Sequence, residues 1–148
     1  MTLPLVLALE LPLMTVSEAN ARSHFHERAR RAAAQRTGAY MALATPLRRA
    51  GFCAYPGDRN EPQTLTMPLV VRMTRLSRGE LDDDNLRGAL KAVRDGIADA
   101  LGLKSDRDPR VEWRYGQDRA SKKMPHGVRI EVWQRVLEEE RQRAGTDG

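Results

Sequence analysis

Cysteine occurs once in the 148 residues, at Cys53. That excludes a disulfide framework and a multi-cysteine zinc site, and it fits a reducing compartment, expected here to be the cytoplasm. The apolar stretch from Leu3 to Leu13 is interrupted by Glu10 and carries no basic leader. It is too short to span a bilayer and reads as a buried strand, not a signal peptide, so no membrane partner is expected. Aromatic residues make up only 5% of the chain. Trp113, Tyr115 and Trp133 alternate with apolar positions, which suits sheet core better than a base-stacking platform. Acids are nearly missing between residues 22 and 49, where Glu27 stands alone. No internal repeat is present.

That same acid-poor stretch holds Arg22, Arg28, Arg30, Arg31, Arg36, Arg48 and Arg49, with His24 and His26 among them. The segment from Glu80 to Asp84 is the opposite, with four acids in five residues. Net charge is +5, which permits a polyanionic partner. Basic and acidic segments so well separated suggest phosphate binding in one place and metal binding in another. Arg28, Arg31 and Arg49 are the candidate phosphate-binding residues, since an acidic cluster alone would repel DNA. His24 and His26 diverge on a helix and make no metal pair. An apolar fraction of 41% and this length fit a single domain, residues 1–148. Within it, residues 137–148 form a charged tail that frays.

Leu3, Leu5, Leu7, Leu9 and Leu11 recur with a period of two, predicting a strand over residues 3–13. An Ala/Arg-rich helix follows, with Ser17 or Asn20 as its cap. Gly38 weakens that helix, Pro46 restarts it and Gly51 closes it. Residues 54–63 read as a polar loop, and Leu65, Met67, Leu69, Val71 and Met73 alternate as a second strand. From Asn85 the period changes: Leu86, Ala89, Leu90, Val93, Ile97 and Leu101 mark one amphipathic helix stopping near Gly102. Val111, Trp113 and Tyr115, then Val128, Ile130 and Val132, predict two strands joined as a hairpin. The expected fold is an α/β (α+β layered) domain, a mixed β-sheet packed with two main helices.

Asp82, Asp83 and Asp84 stand side by side where that helix begins. In extended backbone Asp82 and Asp84 project to one face and Asp83 to the other, and two carboxylates on one face suit Mg²⁺ or Mn²⁺. The plain alternative is that one of them caps the helix and the others are solvated. A calcium loop counted from Asp82 fails, because its sixth residue is Arg87 and its twelfth Val93. Asp106 and Asp108, in the loop after the helix, are both candidates for a third acid.

The run Asp82-Asp83-Asp84-Asn85-Leu86, followed by Leu90-Lys91-Ala92 with Asp95, then Gly102 and Ser105-Asp106, resembles the RusA family of Holliday-junction resolvases. That family's pattern is D-x-D-N, a helix carrying L-K-x-x-x-D, and an aspartate in the loop beyond. The resemblance runs from about residue 11 to residue 133 and is specific in its central part. It implies an α/β homodimer, of a kind common in prophages, that cuts branched DNA with Mg²⁺ or Mn²⁺. It matches Asp82, Asp84 and Asp106 to the metal-binding acids and Lys91 to a lysine that assists catalysis. Lys91 comes seven residues after Asp84, whereas the simplest family form has its lysine four residues after.

Overall fold

The computed structural model describes residues 5–15, 25–52 and 68–134. In chain order these form β1 (Leu5–Leu11), α1 (Phe25–Arg49), β2 (Leu69–Ser77), α2 (Asp83–Ala89), α3 (Lys91–Ala100), β3 (Val111–Arg119) and β4 (Gly127–Gln134). The architecture is α+β, a four-stranded mixed sheet with three helices. No helix among the described residues is long and apolar enough to cross a membrane. The expected 137–148 tail, the caps Ser17 and Asn20, Cys53, Leu65 and Met67 lie outside the described residues.

LVVRMTRLS is the most buried strand, and it takes the interior of the sheet. Along it only Arg72 is exposed. The strand order is β1-β4-β2-β3, with β2 parallel to β3 and β4 antiparallel to both β2 and β1. A parallel pair needs a long crossover, and α2 with α3 supplies it between β2 and β3. Alternate residues Leu69, Val71 and Met73 of β2 and Val128, Ile130 and Val132 of β4 face the helices. They pack with Leu43 and Leu47 of α1 and Val93 and Ile97 of α3, all 0% exposed. Each such side chain contributes about 1.5–3 kcal/mol through burial.

The predicted hairpin is not formed. β3 and β4 lie on opposite sides of β2 and do not pair with each other. The connection between them, residues 120–126, is too long for a two-residue turn. β2, buried at seven of its nine positions, is better satisfied with a neighbour on each side.

Two helix expectations also change. α1 runs unbroken through Gly38 and Pro46. A proline inside a helix costs about 3 kcal/mol, but Ala39, Leu43 and Leu47 form a fully buried stripe around it that offsets this. The helix does close at Gly51, whose φ of 82° suits a glycine C-cap. The single helix expected from Asn85 is two helices, broken at Leu90 (φ −99°, ψ 0°). Leu86, Leu90, Val93 and Ile97 stay buried across the break while Asp84, Gly88 and Lys91 stay exposed.

α1 and α3 approach closely at Gly96. A Cβ there would lie 2.3 Å from the Arg36 carbonyl oxygen and 2.9 Å from Ala39 Cβ. Arg36 then clasps Asp99 of α3 through two hydrogen bonds of 2.7 and 2.9 Å. Below the sheet's end, Arg75 is buried and donates to the Thr15 hydroxyl (3.2 Å) and to the Gly79 carbonyl (2.9 Å). Burial lowers the Arg75 pKa.

Candidate functional site

The turn from β2 into α2 is clamped from β3. The Leu81 N–H donates to Gln117 Oε1 at 2.9 Å, and Gln117 Nε2 donates to the Leu81 carbonyl at 2.6 Å. This seats Asp82 as the N-cap of α2, in extended backbone (φ −66°, ψ 168°). Asp82 Oδ1 accepts from the Asn85 N–H and Oδ2 from the Asn85 side-chain amide, each at 2.9 Å. A capping carboxylate satisfies helix-start N–H groups that have no partner within the helix. Asn85 thus holds both oxygens of Asp82 in one orientation.

The chain is already helical at Asp83 and Asp84. The extended-backbone reading, with Asp82 and Asp84 on one face and Asp83 turned away, therefore does not describe this turn: capping bends the backbone between them. All three acids are exposed. Asp83 lines a cleft of about 390 Å³ together with Arg72, Leu86, Arg87, Trp113, Arg114 and Tyr115.

A second cluster gathers Lys91, Arg94, Asp95 and Asp106. Lys91 Nζ lies 2.7 Å from Asp95 Oδ1 and 2.9 Å from Asp106 Oδ2. Arg94 Nε is 3.0 Å from the same Asp106 oxygen. The Asp106 carbonyl accepts from Arg94 Nη2 (3.0 Å) and from the Trp113 indole (2.8 Å). Arg94 also donates to the Tyr115 hydroxyl (2.6 Å) and lies 4.8 Å from the Trp113 ring centre. The hydrogen bond from Lys91 holds the Asp106 carboxyl below its ordinary value, against the opposing effect of burial. The Lys91 pKa is raised, first by its bond to Asp95 and also by Asp106. Asp108 is bound instead by Arg110, at 2.9 and 2.5 Å, and its pKa falls to about 2.

The structure thus brings Lys91 and Asp106 together. It joins neither to Asp82 or Asp84 by a hydrogen bond or ion pair among the described residues. Asp82 and Asp84 offer the hard oxygen donors that Mg²⁺ or Mn²⁺ prefers. Asp106 has its charge shared between two cations. Among the described residues no group of three or more His, Cys, Asp or Glu is placed to hold a metal ion. The three-acid set therefore fits a metal in donor chemistry but not in arrangement. Of the phosphate-binding candidates on α1, Arg28 and Arg49 are exposed and Arg31 is half-buried.

Compared with known protein-family models and with curated proteins, the chain matches none.

Gln117, Arg94 and Arg87 escaped the sequence reading. Gln117 had a visible signal: it continues the inward alternation of Val111, Trp113 and Tyr115, so a polar side chain there calls for a partner. Arg94 stands one turn from Lys91 on the same helix, where an i, i+3 neighbour shares a partner. Arg87 left no such mark, because its contact is with a strand more than twenty residues away.

Proposed function

We propose that the protein is a structure-selective, metal-dependent endodeoxyribonuclease that hydrolyses phosphodiesters at four-way DNA junctions, acting as a homodimer in the cytoplasm. The observation that carries this reading is the 2.9 Å contact between Lys91 and Asp106. These residues are 15 apart in sequence, and both belong to the set nominated by the RusA-like pattern. The turn clamped by Gln117 adds support, since it holds Asp82 and Asp84 on a fixed, solvent-facing helix start.

In this reading Asp82 and Asp84 would hold Mg²⁺ (or Mn²⁺), with Asn85 orienting Asp82. When bound, the cation neutralises phosphate charge and makes a water proton labile. Lys91 stabilises charge on the phosphate or the leaving oxygen, and Asp95 keeps it protonated and positioned. Asp106 acts as third ligand only by leaving Lys91 and Arg94; otherwise it is the residue that positions Lys91. Arg28, Arg31 and Arg49 neutralise phosphates of the junction arms. Paired cuts in two strands related by a two-fold axis call for a symmetric dimer. The products expected are 5′-phosphate and 3′-hydroxyl ends.

Nicking of a synthetic four-way junction, with and without Mg²⁺, tests the reading. Cleavage that needs Mg²⁺ and disappears in Asp82→Asn supports it; junction binding without any cleavage refutes the enzyme. That second result would favour a non-catalytic DNA-binding module, a reading with one observation behind it: the charge of Asp106 is already balanced by Lys91 and Arg94.

A further inference from the structure

The cleft between α2 and β3 is lined by three arginines and one acid. Arg72 stands opposite Glu131 in the β2–β4 register and opposite Arg114 in the β2–β3 register. Like charges in that position destabilise a strand pair. Arg114 has Glu112 at 3.2 Å. Arg72, the one exposed residue of β2, has no hydrogen-bond or ion-pair partner among the described residues. Its guanidinium lies across β3 at Gly116, where a Cβ would come within 2.9 Å of Nη2. Glycine at 116 is what leaves room for it.

The third cation enters from the helix. Arg87 reaches over the Tyr115 ring, with 5.5 Å from its guanidinium carbon to the ring centre. An aromatic face holds a guanidinium in place without neutralising it. Asp83, four residues before Arg87 and lining the same cleft, makes no ion pair with it among the described residues. Arg72, Arg87 and Arg114 thus all line an open space of about 390 Å³ with a single acid, Asp83, on its wall. Arginine suits phosphate through its planar fork of donors.

We propose that this cleft grips one phosphodiester of the DNA strand, with Arg72, Arg87 and Arg114 as its ligands. Asp83 lines the cleft and Asp82 and Asp84 flank it in the chain. A strand held here therefore runs past the two acids assigned to metal. The site is a positioning device for the strand and takes no part in bond breaking. It rests on the nuclease reading only for what lies beside it, because its binding is measurable without cleavage.

The test is fluorescence anisotropy with a labelled four-way junction in EDTA across a salt series. The variants are Arg72→Gln, Arg87→Gln, Arg72→Lys and Gly116→Ala, with the exposed Arg119→Gln as control. Each phosphate contact contributes a slope of about 0.9 on duplex, or about 0.7 on a single strand, in log affinity against log salt. A fourfold rise in salt then costs about 3.5-fold in affinity per contact. Arg72→Gln and Arg87→Gln should each lose part of that increment, and the double variant the whole of it, with unchanged melting temperature. Arg72→Lys should keep its slope. Gly116→Ala should behave as Arg72→Gln, because the added methyl pushes the guanidinium aside. Arg119→Gln should match the parent.

Parental slopes in both Gln variants would overturn the cleft and leave the nuclease reading standing. Cleft-dependent binding without Mg²⁺-dependent nicking would uphold the cleft and overturn the nuclease. A parent protein with no affinity for junction DNA at low salt overturns both.

Discussion

Gly96 and Gly88 lie eight residues apart, and the same substitution should have opposite signs at the two. At Gly96 an added Cβ would meet the Arg36 carbonyl oxygen at 2.3 Å, where ordinary contact begins near 3.4 Å. The obstacle is backbone, so no rotamer change relieves it. α1 and α3 must part by about 1 Å, and a gap of that size forfeits roughly a quarter to a half of each contact's attraction. Ala39, Leu43, Val93 and Ile97, buried in the core that these helices share, would feel it, as would the Arg36–Asp99 clasp. Overpacking of this kind costs about 1–3 kcal/mol, and a backbone obstacle belongs at the upper end. Replacing a helical glycine by alanine returns about 1 kcal/mol. Gly96→Ala should therefore lose roughly 2 kcal/mol, or about 4–8 °C in melting temperature for a chain of this size. At Gly88 a Cβ meets nothing within 4 Å. Only the helix preference remains there, and Gly88→Ala should gain about 0.5–1 kcal/mol. Urea unfolding followed by circular dichroism measures both. A Gly96→Ala protein as stable as the parent would refute the close approach of α1 and α3.

Asp82→Asn and Asp84→Asn should each abolish junction cleavage while binding DNA as well as or better than the parent, since each loses repulsion toward phosphate. Asp82→Asn should also keep its melting temperature, because asparagine caps a helix as well as aspartate; cleavage at the parental rate would sink the assignment. Lys91→Ala should slow cleavage at least tenfold, corresponding to about 1.4 kcal/mol in the barrier. Adding Gly88→Lys, which installs a lysine four residues after Asp84, should restore part of that rate, and a double variant as slow as Lys91→Ala would deny lysine a role at this face. Asp108, held near pKa 2 by Arg110 against an ordinary 3.8, stabilises the fold fully above about pH 4 and loses that contribution as pH falls toward 2. Asp108→Asn should thus flatten the stability–pH curve between pH 4 and 2 and leave it parallel to the parent's above pH 5, as read from thermal melts.

Patterns set by one residue's immediate neighbours were legible in the sequence. The period-two leucines form a strand from Leu5 to Leu11, though at the sheet's edge with none of its residues buried, and so not the buried strand expected. The switch of period near Asn85 does mark a helical region. Gly51 and Gly102 do close helices, each at positive φ. What was not legible depends on partners far away in the chain. β3 and β4 read as a hairpin because they are consecutive, and only competition for β2 separates them. The Leu90 break leaves the apolar stripe intact, so hydrophobic period carries no trace of it. Spacing alone suggests extended aspartates, because it carries no sign that Asn85 recruits Asp82 as a cap. Lys91 and Asp95 were visible as an i, i+4 pair. Their junction with Asp106 depends on how the 103–110 loop returns, which the Trp113 indole and Arg94 decide.

Among the described residues, the sheet's outer strand β1 comes first in the chain and pairs only with β4, which comes last. Leu9 sits opposite Ile130, and Glu10 accepts from Arg129 at 3.0 Å. During synthesis β1 leaves the ribosome with no strand to join until β4 has followed it. At about 5–20 residues per second that interval is roughly 6–25 s. Meanwhile the segment from β2 through α2 and α3 to β3 is contiguous and can assemble first, around a parallel pair that needs neither end of the sheet. The leucines of β1 spend the wait on a nascent chain as an unpaired apolar strand, which is prone to aggregate. Slowed translation between residues 12 and 127 should therefore lower soluble yield relative to the parental rate.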